Sequence, residues 1–346
     1  MKVDGTDYRT VWMEDGVVHM IEQNRLPFEF AIATLPDHEA TARAIEEMTV
    51  RGAGAIGAAA GYAMAQGFLA AAGDRNRQQQ ARARILATRP TAQNLFHAVE
   101  RVWRAGCAGG AEAAVAEAEA LADADAEASR RIGLLGDSLI GHDARILTHC
   151  NAGWLAFVDH GTALSPIYRA HEKGKRPFVW IDETRPRGQG ARLTAWELTR
   201  AGIECALIAD NAAAHYMAAG MVDLVIVGAD RIAANGDTAN KIGTLEKAIC
   251  ADRFGIPFYV AAPCATIDPD APEGSAIPIE ERSADELLWQ EGVDADGRRH
   301  TIRVAAPGVA AHNPAFDVTP AGLIRAIITE RGIIPPAEAG AVAGDR

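Results

Sequence analysis

Apolar and polar positions change their rhythm twice along this chain. Between residues 8 and 35, Val11-Trp12-Met13 and Val17-Val18-His19-Met20-Ile21 flank a turn at Glu14-Asp15-Gly16. Short β-branched runs around such a turn predict a small antiparallel sheet. From Asp37 the spacing becomes helical, with Ala40, Ala44, Ile45 and Met48 on one side. Small residues from Gly52 to Ala60 lead into a second helix through Tyr62 and Met64. Arg89-Pro90-Thr91 begins another, with proline near its first turn and Asn94, Leu95 and Val99 inside. Residues 109–130 are rich in Ala and Glu with few breakers, which predicts a long and largely solvated helix.

After Gly136 short apolar runs alternate with helical stretches at intervals of roughly 20–35 residues, the length of a βα unit. The runs are Arg145–Thr148, Phe178–Ile181, Glu204–Ile208, Leu224–Val227 and Phe258–Ala261. Such alternation predicts an α/β protein. A mainly helical N-terminal domain with a small antiparallel sheet (residues 1–135) precedes a Rossmann-like, doubly wound parallel sheet (residues 136–346). No segment repeats, and disorder is expected, if anywhere, only in residues 337–346.

The residues just past each run carry chemistry. His149-Cys150-Asn151 comes after the first, Asp182-Glu183-Thr184-Arg185 after the second, Asp210-Asn211 after the third and Gly228-Ala229-Asp230 after the fourth. Parallel strands deliver these groups to one sheet edge, outside which ligands bind. The expected cleft is rich in carboxylates and holds one thiol. The stretch Asp223–Lys247 is its densest part: a buried strand, Asp230, a polar loop with an Asn235-Gly236 turn, then Asn240 and Lys241 ahead of a helical segment.

Composition narrows the function. Apolar residues make up 49% and charged residues 23% of the 346, as in ordinary globular proteins. A net charge of −12 argues against a nucleic-acid or anionic-membrane partner. A phosphorylated substrate would need a local basic pocket instead. The five cysteines include no CxxC pair, which suits free thiols in a reducing cytosol rather than a disulfide framework or a zinc site. No signal peptide opens the sequence, and no apolar run approaches the roughly 20 residues of a membrane span. A cytoplasmic location is expected.

Gly52-Ala53-Gly54-Ala55-Ile56-Gly57 matches GxGxxG, yet a dinucleotide fingerprint needs a preceding strand and an acidic residue about 20 positions on. Here His38–Met48 is helical in pattern, and Asp74 lies in a Gly-Asp-Arg turn, so no nicotinamide or flavin is expected. Two readings remain: Arg51 and the small residues bring backbone N–H groups at a helix start close to an anion, or the small residues simply pack. Cys150 is either an inert buried thiol or a reactive one at a strand's end. Asp230 is a cap, a partner of Arg231, or an acid whose pKa desolvation raises. His149 receives no catalytic role. Arg185 and Arg187, near Gln189, are anion ligands or a solvated loop.

Longer motifs single out one family. Leu147-Thr148-His149-Cys150-Asn151, Asp182-Glu183-Thr184-Arg185-Pro186, the run Gln189–Leu198, Gly228-Ala229-Asp230-Arg231-Ile232, the run Asn235–Thr244 and Asn313-Pro314-Ala315-Phe316-Asp317 resemble the methylthioribose-1-phosphate isomerases. That family is related to the regulatory subunits of eukaryotic translation initiation factor 2B. The resemblance spans about Asp7 to Ile334. It implies a homodimer and conversion of 5-methylthioribose 1-phosphate to 5-methylthioribulose 1-phosphate in methionine salvage, without metal or cofactor. It places the catalytic cysteine and aspartate at Cys150 and Asp230. Substrate-binding positions fall on Arg51, Gly52, Ala53, Arg89, Gln189, Asn240 and Lys241. Gly54 stands where the family usually has proline. The competing expectations are an isomerase of 5-deoxyribose 1-phosphate or ribose 1,5-bisphosphate, and a non-catalytic subunit like those of the initiation factor.

Overall fold

Alternation of buried side chains between two faces builds the centre of the molecule. The computed structural model describes residues 1–89 and 92–343. Its main sheet has seven strands: β1 (Arg145–Thr148), β2 (Phe178–Asp182), β3 (Glu204–Ile208), β4 (Leu224–Val227), β5 (Phe258–Ala261), β6 (Ala326–Thr329) and β7 (Gly332–Ile334). Ile146, Val179, Ile181, Leu224 and Ile226 pack on one face, while Leu147, Trp180, Val225 and Val227 pack on the other. Burial on both faces explains why these strands read as unbroken apolar runs.

Strand order is 3-2-1-4-5-6-7, parallel throughout except for β7, which returns antiparallel to β6. The order reverses between β1 and β4, so chain leaves these two neighbours in opposite directions and a crevice opens beyond their carboxyl ends. Five of the strands lie where periodicity predicts them. β6 and β7 lie beyond the last run that periodicity singled out.

The N-terminal part holds three antiparallel strands, Val11–Glu14, Val17–Ile21 and Ile32–Leu35. Four helices follow: α1 (His38–Glu46), α2 (Ala53–Ala71), α3 (Arg75–Leu86) and α4 (Gln93–Gly136). Asp37 caps α1 through the Ala40 N–H, and Asp74 caps α3 through the N–H groups of Asn76 and Arg77. The acid that a dinucleotide fingerprint would have needed is thus a helix cap, and the segment before Gly52 is helix α1 rather than a strand.

Three expectations need correction here. The stretch 109–130 is not largely solvated. Within α4, which breaks at Gly110 (φ 79°), Ala114, Ala118, Ala122 and Ala126 form a buried stripe against α2. Four-residue spacing of methyl groups lets two helices approach closely. The polar stretch after Asp230 is not a loop but a hairpin, Arg231–Ala233 with Thr238–Lys241, around the Asn235-Gly236 turn. Its outer strand pairs with Phe316–Thr319, some 75 residues on, a partner no local pattern reveals. At the other end, residues 336–342 are helical and Ala339 is fully buried, so order extends past Pro336. The expected helix start at Pro90-Thr91 lies outside the described residues; α4 itself begins at Gln93.

Candidate active site

Beyond the ends of β1 and β4 lies a cavity of about 140 Å³. Arg51, Gly52, Ala53, Arg89, Cys150, Gln189, Asp230, Asn240 and Lys241 all line it. Residues far apart in sequence meet because the open end of the hairpin, the start of α2 and the carboxyl ends of the two central strands come together there.

Cys150 leaves β1 in the left-handed region, φ 65°, and lines the cavity. Its N–H donates to Thr184 Oγ1 at 2.8 Å, and its carbonyl accepts from Thr194 Oγ1 at 2.7 Å. Thr194 closes a π-helical turn, Gly190–Thr194, ahead of α6 (Ala195–Arg200); such turns concentrate at functional sites. Burial raises the pKa of the half-buried thiol, Arg51 and Lys241 draw it back down, and Asp230 adds to the rise.

Asp230 faces the cavity with solvent access, and its N–H donates to the Ala239 carbonyl at 2.9 Å. The protein around it still strips enough water to raise its pKa, against the opposing pull of Lys241, Arg51 and Arg89, while Glu280 adds to the rise. Cations crowd this carboxyl group, yet desolvation outweighs them, in keeping with the sequence reading of an acid whose pKa desolvation raises.

Lys241 donates to the Ala315 carbonyl at 2.7 Å and lies 5.0 Å from the ring centre of Phe316. Burial lowers the pKa of Lys241, Arg51 and Arg89 alike. Asn240 donates to Thr244 Oγ1 at 3.0 Å, at the start of the helix Thr244–Phe254. Arg51 Nε, Arg89 Nη1 and Gln189 Oε1 are buried atoms with no hydrogen-bond partner among the described residues. Buried polar atoms without partners cost energy unless a ligand serves them.

Gly52 explains the small-residue run. Its φ is 91°, and a Cβ there would lie 2.4 Å from the Ala156 carbonyl oxygen. The chain passes so close to the neighbouring loop that only glycine fits. α2 starts directly afterwards, and Gly52 offers its first N–H groups no side-chain cap. The close approach at Gly52 supports the packing reading of these small residues.

Not every strand-end carboxylate joins in. Asp210 accepts from the N–H groups of Thr184 and Arg185, 2.7 Å each, and fixes that loop. Asp182 pairs with His149 Nδ1 at 3.0 Å, and His149 Nε2 donates to the Ile242 carbonyl at 2.8 Å. Burial raises the pKa of Asp182 and His149 opposes it. Ligand atoms of His149, Asp182 and Asp210 approach within 4.8 Å of one another. Both imidazole nitrogens are already engaged, however, and the fully buried Lys247 puts its ammonium 3.7 Å from Asp182. The positive charge at that cluster is the protein's own.

Some cavity residues carry no clear signal in the sequence. Arg187 lines the cavity and pairs with Glu286 at 3.1 Å, whereas Arg185 bonds the carbonyls of Pro186 and Leu287. Glu280 and Arg282 arrive from a segment with no regular pattern, and nothing local marks them.

Fold and cavity define a doubly wound α/β protein whose crevice brings the Cys150 thiol and the Asp230 carboxyl group together with the cationic side chains of Arg51, Arg89 and Lys241. The chain belongs to the initiation factor 2 subunit family, which matches residues 49–336. Among its relatives, the methylthioribose-1-phosphate isomerase of Methylocella silvestris is 48% identical, covering 96% of this chain and 95% of that protein. The namesake protein of Gluconobacter oxydans is 46% identical, with coverage of 98% and 97%. A crystal structure of 5-methylthioribose 1-phosphate isomerase from Pyrococcus horikoshii OT3 superposes with a TM-score of 0.85 at 43% identity, covering 97% of this chain and 95% of that one. Translation initiation factor eIF-2B subunit delta from A. fulgidus gives 0.81 at 39% identity, covering 96% and 97%.

Proposed function

We propose that this protein interconverts 5-methylthioribose 1-phosphate and 5-methylthioribulose 1-phosphate, an aldose–ketose isomerisation of methionine salvage. The observation that carries the reading is the meeting of Cys150 and Asp230 at the ends of adjacent strands, in a cavity also lined by Arg51, Arg89 and Lys241.

A phosphate on C1 blocks the simple ring opening that gives other aldoses a free aldehyde. The ring oxygen must gain a proton as its bond to C1 breaks and hydrogen moves from C2 to C1. Asp230 is the acid for the ring oxygen. Phosphate binding would neutralise the cations that now oppose the rise in its pKa, and a filled cavity would exclude water, so both changes favour the protonated form. Cys150 handles the proton at C2 or its hydroxyl, through a phosphoenolate or beside a direct hydride shift. Arg51, Arg89 and Lys241 hold the phosphate with the N–H groups at the start of α2. Gln189 and Asn240 position the sugar. The scheme uses side-chain acids and bases throughout.

The test is turnover of 5-methylthioribose 1-phosphate by the purified protein without any partner, followed by ³¹P NMR. Conversion is expected, and none at all would defeat the proposal in favour of a regulatory subunit. Comparison of kcat/KM with 5-deoxyribose 1-phosphate and ribose 1,5-bisphosphate decides the C5 substituent, with the methylthio sugar expected to lead. Deuterium from solvent appearing at C1 distinguishes the enolate route from a hydride shift. The working unit is taken as a homodimer in the cytoplasm; light scattering giving a monomer mass would exclude that assembly. No helix among the described residues is long and apolar enough to cross a membrane.

A further inference from the structure

Glu197 lies outside the cavity, yet it accepts four hydrogen bonds that converge on it. The donors are Asn151 Nδ2 at 2.7 Å, the N–H groups of Trp154 (2.9 Å) and Leu155 (3.3 Å), and the Tyr168 hydroxyl at 2.6 Å. Glu197 and Tyr168, which sits on α5 (Ser165–Glu172), are both buried. A Cβ on Gly153 would fall 2.0 Å from Glu197 Oε2, so the loop after Cys150 is wrapped tightly around this carboxylate. Burial raises its pKa, but four donors occupy the lone-pair sites that only the ionised form offers in full.

The consequence runs through Asn151. Its Nδ2 faces Glu197 and also Thr194 Oγ1 at 3.2 Å, so its Oδ1 must face the other way. There it accepts from Arg51 Nη2, and the Asn151 carbonyl accepts from Nη1 at 3.5 Å. The guanidinium so held is the first of the charges that pull the Cys150 thiol down.

We infer that Glu197 is a positioning residue, which fixes the polarity of Asn151 and thereby locks Arg51 against Cys150. The inference deepens the proposed function, and the residue touches no substrate. Glutamine at 197 would present an N–H₂ group to donors on every side. Asn151 could relieve that conflict by flipping its amide, which would turn donors towards a donor-only guanidinium.

The experiment reads the thiol directly and needs no sugar. Iodoacetamide labelling of Cys150, followed peptide by peptide by mass spectrometry, gives a pH–rate profile in the presence of the groups that face the thiol: Arg51, Lys241 and Asp230. Glu197→Gln should slow labelling at pH 8 about tenfold, as expected for a pKa rise of about one unit. Arg51→Ala should do the same, and the double variant should be no slower than Arg51→Ala alone. Tyr168→Phe, which removes one donor without reversing polarity, should stay within about twofold of the parent. An unchanged profile in folded Glu197→Gln, or additive effects in the double variant, would overturn the inference. Should Glu197→Gln fail to fold, Asn151→Ala cuts the same link, and a normal profile there would equally overturn it. Failure of isomerase turnover alone leaves these outcomes readable.

Discussion

Thr184 and Cys150 hold one another in the same sparsely populated backbone region. Thr184 Oγ1 accepts the Cys150 N–H at 2.8 Å, and their φ angles are 64° and 65°. Non-glycine residues pay for this conformation, so the surrounding bonds must stabilise it. The same hydroxyl donates to the Asp182 carbonyl at 3.0 Å, which ties the ends of β1 and β2 together. Thr184→Val should therefore cost about 1–3 kcal/mol of stability in urea unfolding and lower kcat more than it raises KM. Parent-like values for both would mean that Cys150 keeps its place without this bond.

Loss of either proposed proton carrier should be severe. Cys150→Ser and Asp230→Asn are each expected to reduce turnover roughly 10²-fold or more, in line with removal of a positioned acid or base. Steady-state kinetics with the methylthio sugar checks this, and near-normal turnover in both variants would remove the proposed chemistry.

Arg89 should behave differently. It lies 3.9 Å from Glu280, and its buried Nη1 at the cavity has no hydrogen-bond partner among the described residues. If it grips phosphate in ground and transition states alike, Arg89→Ala should raise KM with little change in kcat. A fall in kcat at constant KM would assign it to the transition state instead.

Gly52→Ala should damage folding and binding together. The added methyl would sit 2.4 Å from the Ala156 carbonyl oxygen, at a φ of 91° that alanine rarely adopts. A stability loss of about 1–3 kcal/mol and a raised KM are expected, measured by thermal unfolding and kinetics.

Asp125 gives a pH signature. It is half-buried beside Gly54, accepts the Val158 N–H at 2.7 Å, and is pushed by desolvation up to about 7. Its native pKa exceeds the unfolded one, so the folded state binds the extra proton. The resulting stability is full below about pH 4 and is lost as pH rises through about 7. Asp125→Asn should thus be more stable than the parent at pH 8, by on the order of 1–2 kcal/mol, with the advantage fading under acid. Urea midpoints at pH 4 and 8 test this, and a constant difference would contradict it.

Much of this was legible in the chain itself. Five β-strands, their parallel order as a class, and the arrival of Cys150 and Asp230 at one edge come from apolar periodicity and from the polar residues at the end of each run. β6 and β7 carry the same β-branched signal in Ala326–Thr329 and Gly332–Ile334, around a tight turn, and the same periodicity could have marked them.

The sequence by itself determined the βα rhythm, the absence of a dinucleotide fingerprint's context and the family motifs, because side-chain period and local sterics act over a few residues. Tertiary structure alone decided that the stripe from Ala114 to Ala126 is core, that Asp210 serves backbone while Asp230 faces the cavity, and that Glu197 reaches Arg51 through Asn151. Those outcomes depend on which distant surfaces exclude water and which donors meet which acceptors. Such pairings are fixed only when strands far apart in sequence end at the same crevice.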